Sequence, residues 1–234
     1  MVVKGWVKYA TVDWKKVSGP HIMHVPIANL RRLLYYETLA DDNTEKRFKD
    51  WAQGKYRDVR FEADTRIASE MKGGFVPDYN NLDLYDISNE AKSMEKDHPR
   101  TAELIYSGLI ESIGIHINII DDSFGTFWPL FEECMEDMGN CIKRQEISDE
   151  DRRWRIEYLA GWSLVVFSDF MEYYVKLLTE LCTDVADLNV WKRVLEEDLS
   201  YNDMDDRTCT WAVNKKEIEA VLAQVQDRIR DAGK

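Results

Sequence analysis

The sequence predicts a mainly α protein: an antiparallel helical bundle with a small N-terminal α or α+β part. Three observations predict it. Glycine and proline are scarce, 11 and 5 in 234 residues, which disfavours a turn-rich β barrel or sandwich. Apolar residues recur at helical spacing along the last two thirds of the chain, the mark of helices that bury one face. Helix-starting residues (Pro99, Thr126, Ser148) stand just before those stripes. The composition, 44% hydrophobic and 32% charged, excludes a disordered or low-complexity chain. A chain of this length buries roughly 70% of its unfolded surface.

Taken in order, residues 2–12 hold a candidate short strand, with Val3, Val7 and Tyr9 alternating loosely with Lys4 and Lys8. Pro26 opens a short helix, Ile27 to Ala40, striped by Leu30, Leu33 and Leu34. Thr44 caps a longer helix toward Met71, stopped by Gly73-Gly74. Its stripe (Phe48, Trp51, Ala52, Val59, Ala63, Ile67) is thin, so this helix is expected on the surface. Residues 74–86 read as a loop and as the boundary between parts 1–75 and 76–234, unless the two form one continuous domain. Ser88 caps a short helix. The core helices then span about 100–123, 127–144 and 149–182, the third apolar nearly all round from Tyr158 to Phe167 and so central. Two more helices span 189–199 and 214–230, the last with Asn214-x-x-Glu217 as a capping box. Residues 113–119 (IGIHINI) alternate with a period of two and admit a strand; the helical signals around them favour helix.

Charge divides the chain. Residues 1–75 carry 14 Lys+Arg against 10 Asp+Glu, net +4, and the remainder carries 17 against 34, net −17. A protein that wraps nucleic acid over its whole surface is excluded by a total of −13. Lys46, Arg47, Lys49, Lys55, Arg57, Arg60 and Arg66 interleave with acids, the pattern of a solvated mixed-charge helix face. An anionic ligand or nucleic acid bound through residues 1–75 is the third-ranked function. The four cysteines form no CxxC pair, and reduced thiols in a cytoplasmic protein are expected. No membrane segment and no secretory leader are expected either.

Few residues offer chemistry. His116 lies on the apolar stripe Ile105, Leu109, Ile113, Ile120; it is expected as a buried polar residue bonded to a backbone carbonyl or a serine such as Ser112 or Ser163. The sharper reading makes it a metal ligand or general base opposite Asp169. Asp169 and Glu172 share a helix face and could hold a divalent cation or pair with Lys176. Their stripe passes smoothly from apolar to charged, which favours a salt-bridged surface.

Two motifs carry resemblances. Asp121-Asp122 resembles the start of the aspartate-rich motif of class I isoprenoid enzymes, but Ser123, Phe124 and Gly125 follow where a third acid belongs, and this reading is set aside. Glu132-Glu133-Cys-Met-Glu136 resembles the metal-binding helix of the all-α nucleoside triphosphate pyrophosphohydrolases, the MazG-like and dimeric dUTPase group. The resemblance implies magnesium (Mg) held by Glu132, Glu133 and Glu136 against a second helix carrying Glu-x-x-Asp. Here that helix reads Glu157-Tyr-Leu-Ala160, so Asp169 and Glu172 would have to complete the set. A magnesium-dependent phosphohydrolase is therefore the second-ranked function.

The first is protein–protein interaction or assembly, as a homo-oligomer. Eight tryptophans and eleven tyrosines exceed what the core stripes consume, and such residues favour interface cores. Tyr35, Tyr36, Trp51, Trp191 and Trp211 stand on weakly amphipathic segments and are the interface candidates.

Overall fold

The computed structural model describes residues 59–76, 82–123, 125–164, 166, 168–201 and 215–232. Regular structure among them is helical: α1 (Val59–Glu70), α2 (Tyr85–Met94), α3 (Pro99–His116), α4 (Phe127–Lys143), α5 (Asp149–Ser163), α6 (Met171–Leu181), α7 (Val185–Tyr201) and α8 (Lys215–Ala232), with 3-10 turns at Ile117–Ile119 and Ser168–Phe170. The fold is mainly α. The chain divides into two compact units, Met1–Ile142 and Lys143–Lys234. Among the described residues no helix is long and apolar enough to cross a membrane. The candidate strand at 2–12, the helix at 27–40 and the start of the helix at Thr44 lie outside the described residues.

In the first unit, α1 and α2 both pack on α3, whose residues from Ile105 to Gly114 are all buried. The thin stripe of α1 is not a surface feature: Val59, Ala63 and Ile67 are fully buried. Small side chains suffice because the backbones come close at Gly108. A Cβ there would lie 3.0 Å from the Arg60 backbone nitrogen and 3.1 Å from Val59 Cβ. After Glu70 the chain turns through Gly73 and Gly74, at φ 63° and 94°, conformations that glycine adopts without Cβ strain. Val76 then lies parallel to Ile120: its N–H donates to Ile119 O (2.8 Å), and its carbonyl accepts from Asp121 N–H (3.0 Å).

The ambiguous run 113–119 is helical, as expected, but the helix stops short of residue 123. It ends at His116 and tightens into a 3-10 turn, and Ile120 is extended. Crowded β-branched isoleucines weaken the α form, and Ile120 exchanges helical bonds for the pairing beside Val76. The helix expected from Ser88 begins earlier, at Tyr85, whose N–H donates to Asp83 Oδ1 (2.9 Å). Ser88 is buried inside it and its hydroxyl accepts the Cys134 thiol (3.7 Å). The start of α4 is capped from a distance. Asp122 accepts the N–H groups of Thr126 (2.6 Å), Phe127 (2.9 Å) and Trp128 (3.0 Å), so a carboxylate satisfies the orphan donors at the positive end of the helix dipole.

In the second unit, α5 packs on α6 and α7, and α7 packs on α8. Leu159, Trp162, Tyr174, Leu178, Trp191, Leu195, Ile218 and Val225 are among its buried core. Ser148 caps α5 as expected, accepting Asp151 N–H (3.1 Å). The continuous helix 149–182 is corrected: α5 ends at Ser163, and α6 begins at Met171 after a 3-10 turn. Ser163 Oγ donates to Ala160 O (2.7 Å) and Leu164 N–H bonds back to Gly161 O (3.2 Å). Both tighten the last turn at the expense of α-helical bonding. Helix α7 starts at Val185 rather than 189, because Asp184 Oδ1 accepts Asp187 N–H (2.7 Å) as an N-cap and Asp187 reaches back to the N–H of Thr183 before it (3.0 Å).

Two substitutions test this packing by urea unfolding. Gly108→Val inserts a branched side chain against α1 and should cost roughly 1–3 kcal/mol; an unchanged midpoint would mean that α1 does not sit there. Asp122→Ala strips the α4 cap and should cost about 1 kcal/mol, with no loss of helix outside α4.

Candidate functional site

The acids of the motif at 132–136 sit on the outer side of α4. Glu132, Glu133 and Glu136 are all exposed, and Glu133 is tied in an ion pair to Lys92 of α2, which raises the lysine's pKa. The inner face of the same helix is more constrained. Tyr106 of α3 points its hydroxyl at two carboxylates, donating to Glu95 Oε1 at 2.7 Å with Asp137 Oδ2 at 3.4 Å. Burial, then the neighbouring Glu95 charge, holds Asp137 above the ordinary carboxylate value. Burial and the hydrogen bond to Glu95 push the Tyr106 phenol up as well. The adjacent Cys134 thiol, buried and free, is pushed up to about 12 by burial, so it stays a neutral packing group rather than a nucleophile.

His116 ends α3 with its side chain 25% exposed, so it is half-buried rather than enclosed. Its Nδ1 donates to Ser112 O (2.9 Å), which places the lone pair of the neutral ring on Nε2. The same nitrogen is 3.5 Å from Asp64 Oδ1, and Ser112 Oγ donates to that oxygen (2.6 Å). The carboxylate facing His116 thus comes from α1. One turn earlier, Ser107 Oγ donates to the buried Glu111 (3.1 Å), and Arg60 of α1 reaches both Glu111 (3.6 Å) and Asp64 (3.8 Å). Arg60 thus joins the two clusters into one polar network running beside the apolar stripe Val59, Ala63, Ile67. Arg66 is engaged too, by Asp86 (2.7 Å), Glu62 (2.5 Å) and the Asp83 carbonyl (2.7 Å). Arg60 and Arg66, two of the seven basic residues of the expected mixed-charge face, thus have carboxylate partners; Lys46, Arg47, Lys49, Lys55 and Arg57 lie outside the described residues.

Asp169 and Glu172 belong to the second unit and are exposed, Asp169 in the 3-10 turn and Glu172 in the first turn of α6. Because the helix expected through both is broken between Ser163 and Met171, they do not continue the register of α5. No group of three or more His, Cys, Asp or Glu side chains able to hold a metal occurs among the described residues. Of the interface candidates, Trp191 is 2% exposed and belongs to the core of the second unit; Tyr35, Tyr36, Trp51 and Trp211 lie outside the described residues.

Asp187 of the second unit is fully buried at the N-terminus of α7. It accepts Arg152 Nε (2.8 Å), Arg153 Nε (3.3 Å), Thr183 N–H (3.0 Å) and Thr183 Oγ1 (3.1 Å). Burial alone would raise its pKa, but the Arg152 and Thr183 hydrogen bonds win and hold it below the ordinary value. The spacing Asp184-x-x-Asp187 is the signal that could have shown it. The convergence of Tyr106, Glu95 and Asp137 has no such signal. On α5 Trp154 stacks on Tyr158, with ring centroids 5.4 Å apart and planes at 18°, and Tyr158 meets the buried Trp162 edge-on.

Removing Asp187 should unfold the second unit first. Asp187→Ala leaves two guanidinium groups facing a void and should cost about 3 kcal/mol, the low end for a broken buried pair because both arginines are partly exposed. A carboxylate with a depressed native pKa stabilises fully above its unfolded value of about 3.9 and less as pH falls through the native one. The wild-type second unit should accordingly lose stability below about pH 4, and the variant should lack that component in an acid titration followed by circular dichroism. Comparisons of the chain with protein-family models, curated proteins and solved structures find no match.

Proposed function

We propose that this chain is an assembly protein, binding other copies of itself as a homo-oligomer in the cytoplasm. The observation that supports the reading is the Trp154–Tyr158 stack on α5. Both rings are half-exposed, and they are flanked by Arg153 and by the Glu157–Arg193 ion pair (3.0 Å). Stacked, half-exposed aromatics with an arginine and an ion-paired glutamate on the same helix have the composition of a protein-binding hot spot. Phe75 and Tyr85, 42% and 37% exposed, add large apolar surface in the first unit. Cys134, Cys141 and Cys182 are buried thiols outside any disulfide, as suits a reducing compartment.

Native mass spectrometry of the protein as purified, at micromolar concentration, tests the reading. A discrete homo-oligomer that dissociates in the double variant Trp154→Ala/Tyr158→Ala, with helicity unchanged, is the expected result. A monomer at every concentration overturns self-assembly. The same spectrum reports bound mass: a divalent metal retained by the wild type and lost in Glu133→Gln/Glu136→Gln would replace this reading with a metal centre on α4.

A further inference from the structure

We propose that the junction of α2, α3 and α4 is a proton-responsive clasp, in which Glu95 and Asp137 share the Tyr106 hydroxyl and the pair takes up one proton on acidification, closing the turn between α2 and α3. The geometry carries the inference. A phenol has one proton to donate, and two carboxylates face it, at 2.7 Å and 3.4 Å. The two carboxylate oxygens are therefore no more than about 6 Å apart, close enough for the Glu95 charge to oppose ionisation of Asp137. When both are ionised, one hydroxyl proton cannot serve both, and the pair repels. With a proton on Asp137 the repulsion ends, and the carboxylic acid becomes a second donor in the cluster.

The surroundings bear on the sign. From α2, Lys92 opposes the proton uptake, but its ammonium is already engaged by Glu133. From α4, Glu133 adds negative charge and favours uptake, while Cys134, with its thiol pushed up to about 12, stays neutral. From α3, Tyr106 holds its proton, since burial pushes its pKa up. Burial and Glu95 outweigh Lys92 and the Tyr106 bond, and Asp137 lies above the ordinary carboxylate value. A group whose native pKa is raised stabilises the closed form fully below its unfolded value and loses that contribution as pH rises through the native one. The clasp therefore tightens with acid, opposite to the Asp187 site.

Glu95 lies where this matters. Its own N–H bonds Lys92 O (3.4 Å), and His98 N–H bonds Met94 O (2.7 Å), so these two amides report the turn. The experiment is amide hydrogen exchange on the full chain from about pH 3, below the unfolded aspartate value, to about pH 7.5, corrected for intrinsic rates, with the Asp137 carboxyl titrated by carbon NMR. Asp137 should titrate above about 3.9, the ordinary aspartate value. Protection at Glu95 and His98 should fall as pH rises, by about tenfold for each unit of separation between closed and open pKa values. Asp137→Asn, isosteric with the protonated acid, should remove the pH dependence and keep the acid-level protection. Tyr106→Phe should lower protection throughout. An ordinary or depressed Asp137 titration, or an unaltered pH dependence in Asp137→Asn, overturns the proposal.

Discussion

A carboxylate that helix packing has removed from water must be met by a donor from a neighbouring helix, and in both units that requirement decides which helix faces which. In the first unit Glu111 lies on the buried face of α3, where Arg60 of α1 reaches it and Ser107 donates to it. This sets the rotation of α1 about its axis. It sets the approach too, because Arg60 is the residue whose backbone passes Gly108 most closely. An uncompensated buried charge costs several kcal/mol, more than the small apolar stripe Val59, Ala63, Ile67 could tolerate losing. In the second unit Asp187 plays the same part: Arg152 and Arg153 lock the first turn of α5 against the start of α7.

The sites differ in supply of donors, and that difference produces opposite electrostatics from one residue type. Asp187 is oversupplied, with two guanidinium groups and the N–H and hydroxyl of Thr183, so the charged form is held although it is fully buried. Asp137 is undersupplied: one phenol stands between it and a second carboxylate, and the proton is the cheapest remaining partner. Burial alone does not say which way an acid shifts. The count of donors does.

The same reasoning bears on how acidic motifs are read in a helical protein. Glu132, Glu133 and Glu136 have the spacing of a metal-binding helix, yet spacing on one helix cannot supply the opposing helix that a metal needs. Here the groups that oppose α4 are Lys92, Glu95 and Tyr106, and they draw Glu133 into an ion pair and Asp137 inward. Likewise Asp121-Asp122 resembles a metal motif in sequence and is a helix cap in space, because three unpaired N–H groups of α4 lie within reach of Asp122.

Local physics was legible in the sequence. The helical class, the opening of α3 at Pro99, the Ser148 cap and the glycine turn after α1 all follow from propensity, capping and periodicity, which act over a few residues. The ends of α3 and α5 were not legible, because Ile120 leaves the helix for Val76, forty-four positions earlier, and Ser163 competes for a carbonyl that periodicity assigns to the helix. Nor were the sites: Asp64 meets Ser112 and His116, and Asp137 meets Tyr106, across separations of thirty or more residues. By itself the sequence determined which segments are helices and which face of each is apolar. Only tertiary structure decided which charges meet, because pairing depends on the approach and rotation of whole helices, set by long-range packing that leaves no periodic mark in the chain.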